Sequence, residues 1–138
     1  MLKLDSIKAD LDKERNGDWV EFPDWPGVSF KVKSIEAPDF RTGRDMLLRK
    51  LARKYKSKPI PQDELQQDIG KLYHSHILID WKGLDTPYSP DQALDVLTDP
   101  AYRKVFAAIE WCAAQIGESD AEFVEDAAKN SAKRSATG

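Results

Sequence analysis

The chain has 138 residues, 41% of them apolar and 33% charged, with 21 Lys and Arg against 24 Asp and Glu for a net charge of −3. That is the length of one domain, large enough to bury a core without staples, and its composition is that of a globular chain. One cysteine excludes an internal disulfide and a Cys-based zinc site, and the longest apolar-looking run, Leu72 to Ile79, falls far short of the roughly twenty residues of a membrane span.

The opening Met1-Leu2-Lys3-Leu4-Asp5 lacks the apolar block of a secretion signal, so a reducing cytoplasm is expected. Leu4, Ile7 and Leu11 are spaced for a short amphipathic helix over 4–14, ended by Asn16-Gly17. Trp19-Val20-Glu21-Phe22 and Val28-Ser29-Phe30-Lys31-Val32 flank a Pro/Gly-rich turn, and the second run alternates at period two. This predicts a β-hairpin over about 18–35 with a loop longer than two residues.

Pro38-Asp39 opens a helix over about 39–56. Phe40, Leu47, Leu48, Leu51 and Tyr55 form its inner stripe, and Arg49, Arg53 and Lys56 lie opposite, flanked by Lys50. Pro59-Ile60-Pro61 breaks it. The next helix is expected over about 62–81, with Leu65, Ile69, Leu72, His76 and Ile79 inward and Leu78 and Trp81 pointing away. Ser89-Pro90-Asp91-Gln92 is a strong start signal for a helix over 90–97. Asp99-Pro100 starts one over 100–116, ended by Gly117, and Ser119-Asp120-Ala121-Glu122 starts another over 120–129. The expected fold is mainly α with a small N-terminal β-hairpin (α+β), a compact single helical domain over 1–129 followed by a disordered tail, 130–138.

The net charge hides a partition. Residues 39–58 carry eight basic and two acidic groups, net +6, whereas residues 59–128 carry four basic and fourteen acidic, net −10. Such asymmetry speaks to partners or self-association. No phosphate-binding glycine loop, HExxH or GxSxG motif is present. His74 and His76, two apart on a helix, point about 160° from each other and cannot share a metal; His76 reads as a hydrogen-bonded core histidine. Cys112 reads as a small buried hydrophobe. No catalytic, cofactor or metal site is expected, and the chain does not read as an enzyme.

Two surfaces stand out instead. One is the basic ridge of Arg49, Lys50, Arg53 and Lys56, which suits a solvated face or a protein partner, including another copy. The other is on the helix over 100–116, where Trp111 lies opposite the core stripe beside Ala107 and Ala114. Small residues around one large aromatic suit a close helix contact. That helix is either sandwiched within the fold or offers a second apolar face to another chain.

Most of the chain resembles, in order, the tail assembly chaperones of long-tailed, non-contractile bacteriophages and related prophages. The stretches that carry the resemblance begin with Gly17-Asp18-Trp19-Val20-Glu21, Pro26-Gly27-Val28-Ser29-Phe30-Lys31-Val32 and the run Arg44 to Tyr55. They continue with Ile77 to Leu84, Tyr88-Ser89-Pro90, Leu97-Thr98-Asp99-Pro100 and Glu122 to Asn130. The resemblance implies a non-enzymatic protein of the infected cell's cytoplasm. Such a protein binds the tape measure protein and keeps it soluble until tail tube subunits polymerise around it, and it is absent from the mature virion. The resemblance further implies a programmed −1 frameshift near the C-terminus, whose extended form recruits the tail tube protein; Ala128-Lys129-Asn130 permits a slippery A-AAA-AAC. The charge partition agrees with a homo-oligomer built head to tail. No membrane partner is expected. The alternative is a small DNA- or RNA-binding regulatory protein using the basic helix 41–58, against which the acidic remainder of the chain argues. A structural component retained in the virion is a third reading.

Overall fold

The structure, a computed structural model, describes residues 1–125. They fall into two compact units: Leu11–Gly117, and a smaller one made by the two ends of the chain, Met1–Asp10 and the residues from Glu118 onward.

The larger unit is mainly helical with one antiparallel sheet. In chain order it runs α1 (Leu11–Asn16), β1 (Asp18–Glu21), β2 (Ser29–Val32), α2 (Pro38–Lys54), α3 (Gln62–His76), β3 (Leu78–Lys82), α4 (Pro90–Thr98) and α5 (Arg103–Gln115). The hairpin forms as expected, with Val20 opposite Phe30 and Trp19 opposite Lys31. Its turn is closed by Phe22 N–H donating to Val28 O at 3.0 Å.

The expected helix over 62–81 is corrected. It stops at His76, and Leu78–Lys82 becomes a third strand on the free edge of β2, giving the order β1-β2-β3. A lone hairpin leaves that edge unpaired and is marginal in water. The β-branched Ile77 and Ile79 suit a strand at least as well as a helix. Leu78 and Trp81, expected to point away from the core, are both buried. They face one side three residues apart because the β2–β3 register slips between Lys31 and Val32.

Other boundaries differ as well. In place of a helix over 4–14, the smaller unit has a 3-10 turn at Leu4–Ile7 and the larger unit has α1. The first turn of the helix expected from Pro100 is a separate 3-10 turn, Pro100–Tyr102, with Asp99 Oδ1 accepting from Ala101 N–H at 2.9 Å. The Ser89 cap forms as predicted, its hydroxyl accepting from Gln92 N–H at 3.1 Å. The helix expected over 120–129 does not start. Ser119 Oγ lies 2.8 Å from Ser6 O and 2.7 Å from Lys8 O, and Glu122 N–H donates to Ser6 Oγ. The amide that the cap would accept from, Glu122 N–H, is thus held by Ser6 instead, and Phe123 pairs antiparallel with Leu2. Residues 126–129 of that helix, and the tail 130–138, lie outside the described residues.

The core of the larger unit lies between the sheet and α3, α4 and α5. Phe30 and Val32 of the central strand, Leu97 of α4 and Ile109 and Cys112 of α5 have no exposed surface. Each such apolar side chain contributes roughly 1.5–3 kcal/mol. Phe40, Tyr73 and Phe106 stack in sequence, with centroids 5.2 and 4.8 Å apart, and link α2, α3 and α5. The α3–α4 crossing is close enough that a Cβ on Gly70 would stand 2.1 Å from the carbonyl oxygen of Leu97.

Candidate interaction surfaces

α2 is held along one narrow stripe. Phe40 and Leu51 are buried and Leu47 and Tyr55 half-buried, but Leu48, expected inside, is 40% exposed. Most of the cylinder therefore faces solvent. Arg49, Lys50 and Arg53 are exposed, and Met46, 63% exposed, lies on their face at the i, i+3, i+4 and i+7 spacing. Lys54 turns the other way and pairs with Glu64 of α3, whose second oxygen accepts from the Tyr55 hydroxyl. This clasp ties the end of α2 to the start of α3. Lys56 does not extend the ridge. The helix stops at Lys54, and Lys56 and Ser57 both take the left-handed conformation, at φ 50° and 64°.

The second surface lies on α5. Trp111 is 40% exposed and Ala107 exposed, while Ala114 is half-buried. The helix therefore turns a partly apolar side outward. Trp111 does not stand alone: its ring meets Phe22 edge-on at 5.8 Å, and Phe22 meets Trp25 edge-on at 5.0 Å. Trp111 is the exposed member of this three-ring cluster; Phe22 and Trp25 are partly buried against the core. The sequence carries a signal for the two additional rings, since Phe22-Pro23-Asp24-Trp25-Pro26-Gly27 places two large aromatics in a turn, where a solvated loop needs none. Glu21 and Asp24 flank them, both exposed, and Glu110 precedes Trp111, also exposed. The two surfaces are not brought together: α2 packs on α3, while α5 packs on α4, β1 and β2.

The histidines divide differently from expectation. His74, not His76, makes a hydrogen bond, its Nε2 lying 2.9 Å from Pro90 O. His76 is half-buried and lines a cavity of about 220 Å³ with Arg15, Lys33 and the first turn of α2. Cys112 is buried, as expected for a small hydrophobe, with its thiol 3.8 Å from Val20 O. Burial pushes that thiol up to about 11, so at neutral pH it is an unreactive S–H. Burial, with Glu110 adding to it, also raises the Tyr73 hydroxyl well above the usual phenol range. Among the described residues no three His, Cys, Asp or Glu side chains gather to hold a metal ion, and no helix is long and apolar enough to cross a membrane.

A family model described as the YdaY prophage protein matches residues 35–130. The match covers α2 to α5 and leaves out the β1–β2 hairpin. No curated protein and no solved structure matches the chain.

Proposed function

This chain belongs to the YdaY prophage protein family, and within that prophage setting we propose that it is a tail assembly chaperone. It binds the tape measure protein in several copies, keeps it soluble in the host cytoplasm while tube subunits polymerise, and leaves before the virion is complete. It holds its partner and performs no chemistry on it. The observation that carries this reading is the pair of exposed faces: a helix carrying Met46 among Arg49, Lys50 and Arg53, and the exposed Trp111 of α5, backed by the partly buried rings of Phe22 and Trp25. A long helical partner aggregates through its apolar stripes, and half-exposed aromatics, Met and Arg are the side chains that cover such stripes adaptably.

Co-expression is the test. The tape measure protein encoded beside this gene should be soluble and co-purify when this chain is present, and should pellet when it is absent. Equal solubility in both cases refutes the reading. A −1 extension belongs to the same proposal: codons 128–130 should read as an A-rich heptamer with an open −1 frame beyond them. The basic face of α2 also admits a nucleic-acid reading. Binding to bulk DNA that falls steeply with salt would support that reading in place of the first.

A further inference from the structure

The larger unit also carries a hollow that shares no residue with either face, between the loop after β3, α4 and the start of α5. We infer that it is a recognition site for a helix of another protein, one that carries a leucine or phenylalanine with a lysine or arginine one turn further on. The site goes beyond the chaperone reading and does not rest on it.

The apolar half is a well of about 150 Å³, walled by Trp81, Leu84, Val96 and Val105. An apolar space of that size takes one benzene ring. It falls short of the roughly 300–1,000 Å³ of a small-molecule site, so its fitting occupant is a single side chain borne by a larger partner. The well is formed in advance. Trp81 is buried, its Nε1–H donates to Thr86 O at 2.8 Å, and Tyr88 meets its ring edge-on at 5.2 Å. The wall is therefore fixed before anything binds, and little ordering cost remains. Tyr102 also lines the well, 43% exposed and against no other ring among the described residues. An exposed tyrosine beside an apolar well is the residue type that anchors interfaces.

The polar half adjoins it. Gln92 and Tyr102 also line a wider hollow of about 520 Å³, together with Asp95 and Asp99, and Asp85 lines the well itself. Among the described residues no lysine or arginine lines either hollow, and none of these three carboxylates is in an ion pair. Charge thus selects a cation beside the apolar side chain, and a guanidinium makes the stronger, bidentate contact. Spacing selects a helix. Gln92, Asp95 and Asp99 follow one another at three and four residues along α4 and its C-terminal cap, so the carboxylates step away from the well by roughly 5 Å at a time. Side chains four apart on a partner helix are separated by the same distance.

The probe is an amidated, alanine-based helical peptide with one phenylalanine and, four residues later, one arginine. It is titrated into the full chain and followed by the nitrogen–proton resonance of the Trp81 indole, which should shift and saturate. Replacing the peptide's phenylalanine by alanine should weaken binding by about tenfold or more. Asp95→Lys, at an exposed position, should keep the wild-type melting temperature and weaken the arginine peptide by roughly two- to fivefold. It should also bind a peptide with glutamate in place of arginine better than wild type does. The inference is overturned if the Trp81 resonance does not move with peptide, or if it moves with protein concentration alone, which would make a second copy the occupant. It is equally overturned if the alanine peptide binds as well as the phenylalanine one, or if the charge exchange brings no recovery. Should Asp95→Lys melt early, Tyr102→Ala replaces it and must weaken the phenylalanine peptide by at least about fivefold. No tape measure protein enters this experiment, so its failure and that of the co-expression test are read separately.

Discussion

Gly70 is where the helix packing can be tested with one methyl group. It lies in the middle of α3, where alanine is the better helix former by about 1 kcal/mol. On propensity alone, Gly70→Ala stabilises the protein. The crossing with α4 reverses that expectation. The added Cβ would stand 2.1 Å from Leu97 O, 2.8 Å from Leu97 C and 3.4 Å from Thr98 Cγ2. The first two are backbone atoms, so no rotamer change relieves them. Restoring ordinary van der Waals separation moves α3 and α4 apart by about 1 Å or more, which opens the packing around Leu97. Overpacking of this kind costs roughly 1–3 kcal/mol, and the rigid obstacle places this case at the upper end. After the propensity gain, a net loss of about 2 kcal/mol remains, which lowers Tm by roughly 6–8 °C in a domain of this size. Gly43 of α2 is the internal control: its Cβ would meet only the flexible tip of Leu72 at 3.1 Å and His76 Nε2 at 3.7 Å. Gly43→Ala should be neutral or stabilising by up to about 1 kcal/mol. Urea unfolding of the two variants should therefore give opposite signs or a gap of at least about 2 kcal/mol. If Gly70→Ala unfolds at higher urea than wild type, the close α3–α4 crossing is wrong.

Ser57 is held at φ 64° at a cost of roughly 1 kcal/mol for an L-residue, so Ser57→Gly should raise the melting temperature by a few degrees; a fall would mean its side chain, not its backbone, is what matters. The Cys112 thiol lies at about 11 in the fold against 9.0 for an ordinary thiol. Its contribution is complete below pH 9 and lost as pH rises towards 11, at most about 2–3 kcal/mol at 1.36 kcal/mol per unit. Wild type should therefore lose more stability than Cys112→Ala between pH 8 and pH 10 in urea melts, and parallel losses would refute the assignment. The same thiol should react with an aromatic disulfide reagent at neutral pH only as fast as the protein unfolds. Trp111→Ala should impair assembly or partner binding while lowering stability by about 1 kcal/mol, because the ring already spends 40% of its surface in solvent; a loss of 3 kcal/mol or more, typical of a core aromatic, would place it in the interior.

What could be read from the sequence was whatever local chemistry decides. The Ser89 and Asp99 caps, the helix stop at Gly117 and the Pro/Gly hairpin turn are settled by side chains within a few residues of each other, and they form as read. β3 was not legible, because Ile69, Leu72, His76 and Ile79 keep helical spacing straight through the real boundary. Only the unpaired edge of β2, distant in sequence, decides that Leu78–Lys82 becomes a strand. The failed start at Ser119 has the same origin, the Glu122 N–H that it would cap being taken by the hydroxyl of Ser6 more than a hundred residues away. On the candidate surfaces, the helical wheel put Arg49, Lys50 and Arg53 outside, as found, but left Trp111 open between a sandwiched helix and an outward face, and the structure leaves it 40% exposed. The wheel could not place Phe22 and Trp25 beside Trp111, since a wheel carries no information about which loop crosses a helix.

Ile77, the single residue between α3 and β3, has a mechanical consequence. Its N–H donates to Tyr73 O at 2.9 Å and so finishes the helix, while its C=O accepts from Lys33 N–H at 2.9 Å and so belongs to the sheet. With no slack between them, helix and strand move as one lever. α2 is clasped to that lever through Glu64, and the hairpin that bears Phe22 and Trp25 is hydrogen-bonded to its other arm through β2. Torque applied at the basic helix therefore reaches the aromatic cluster without a hinge to absorb it.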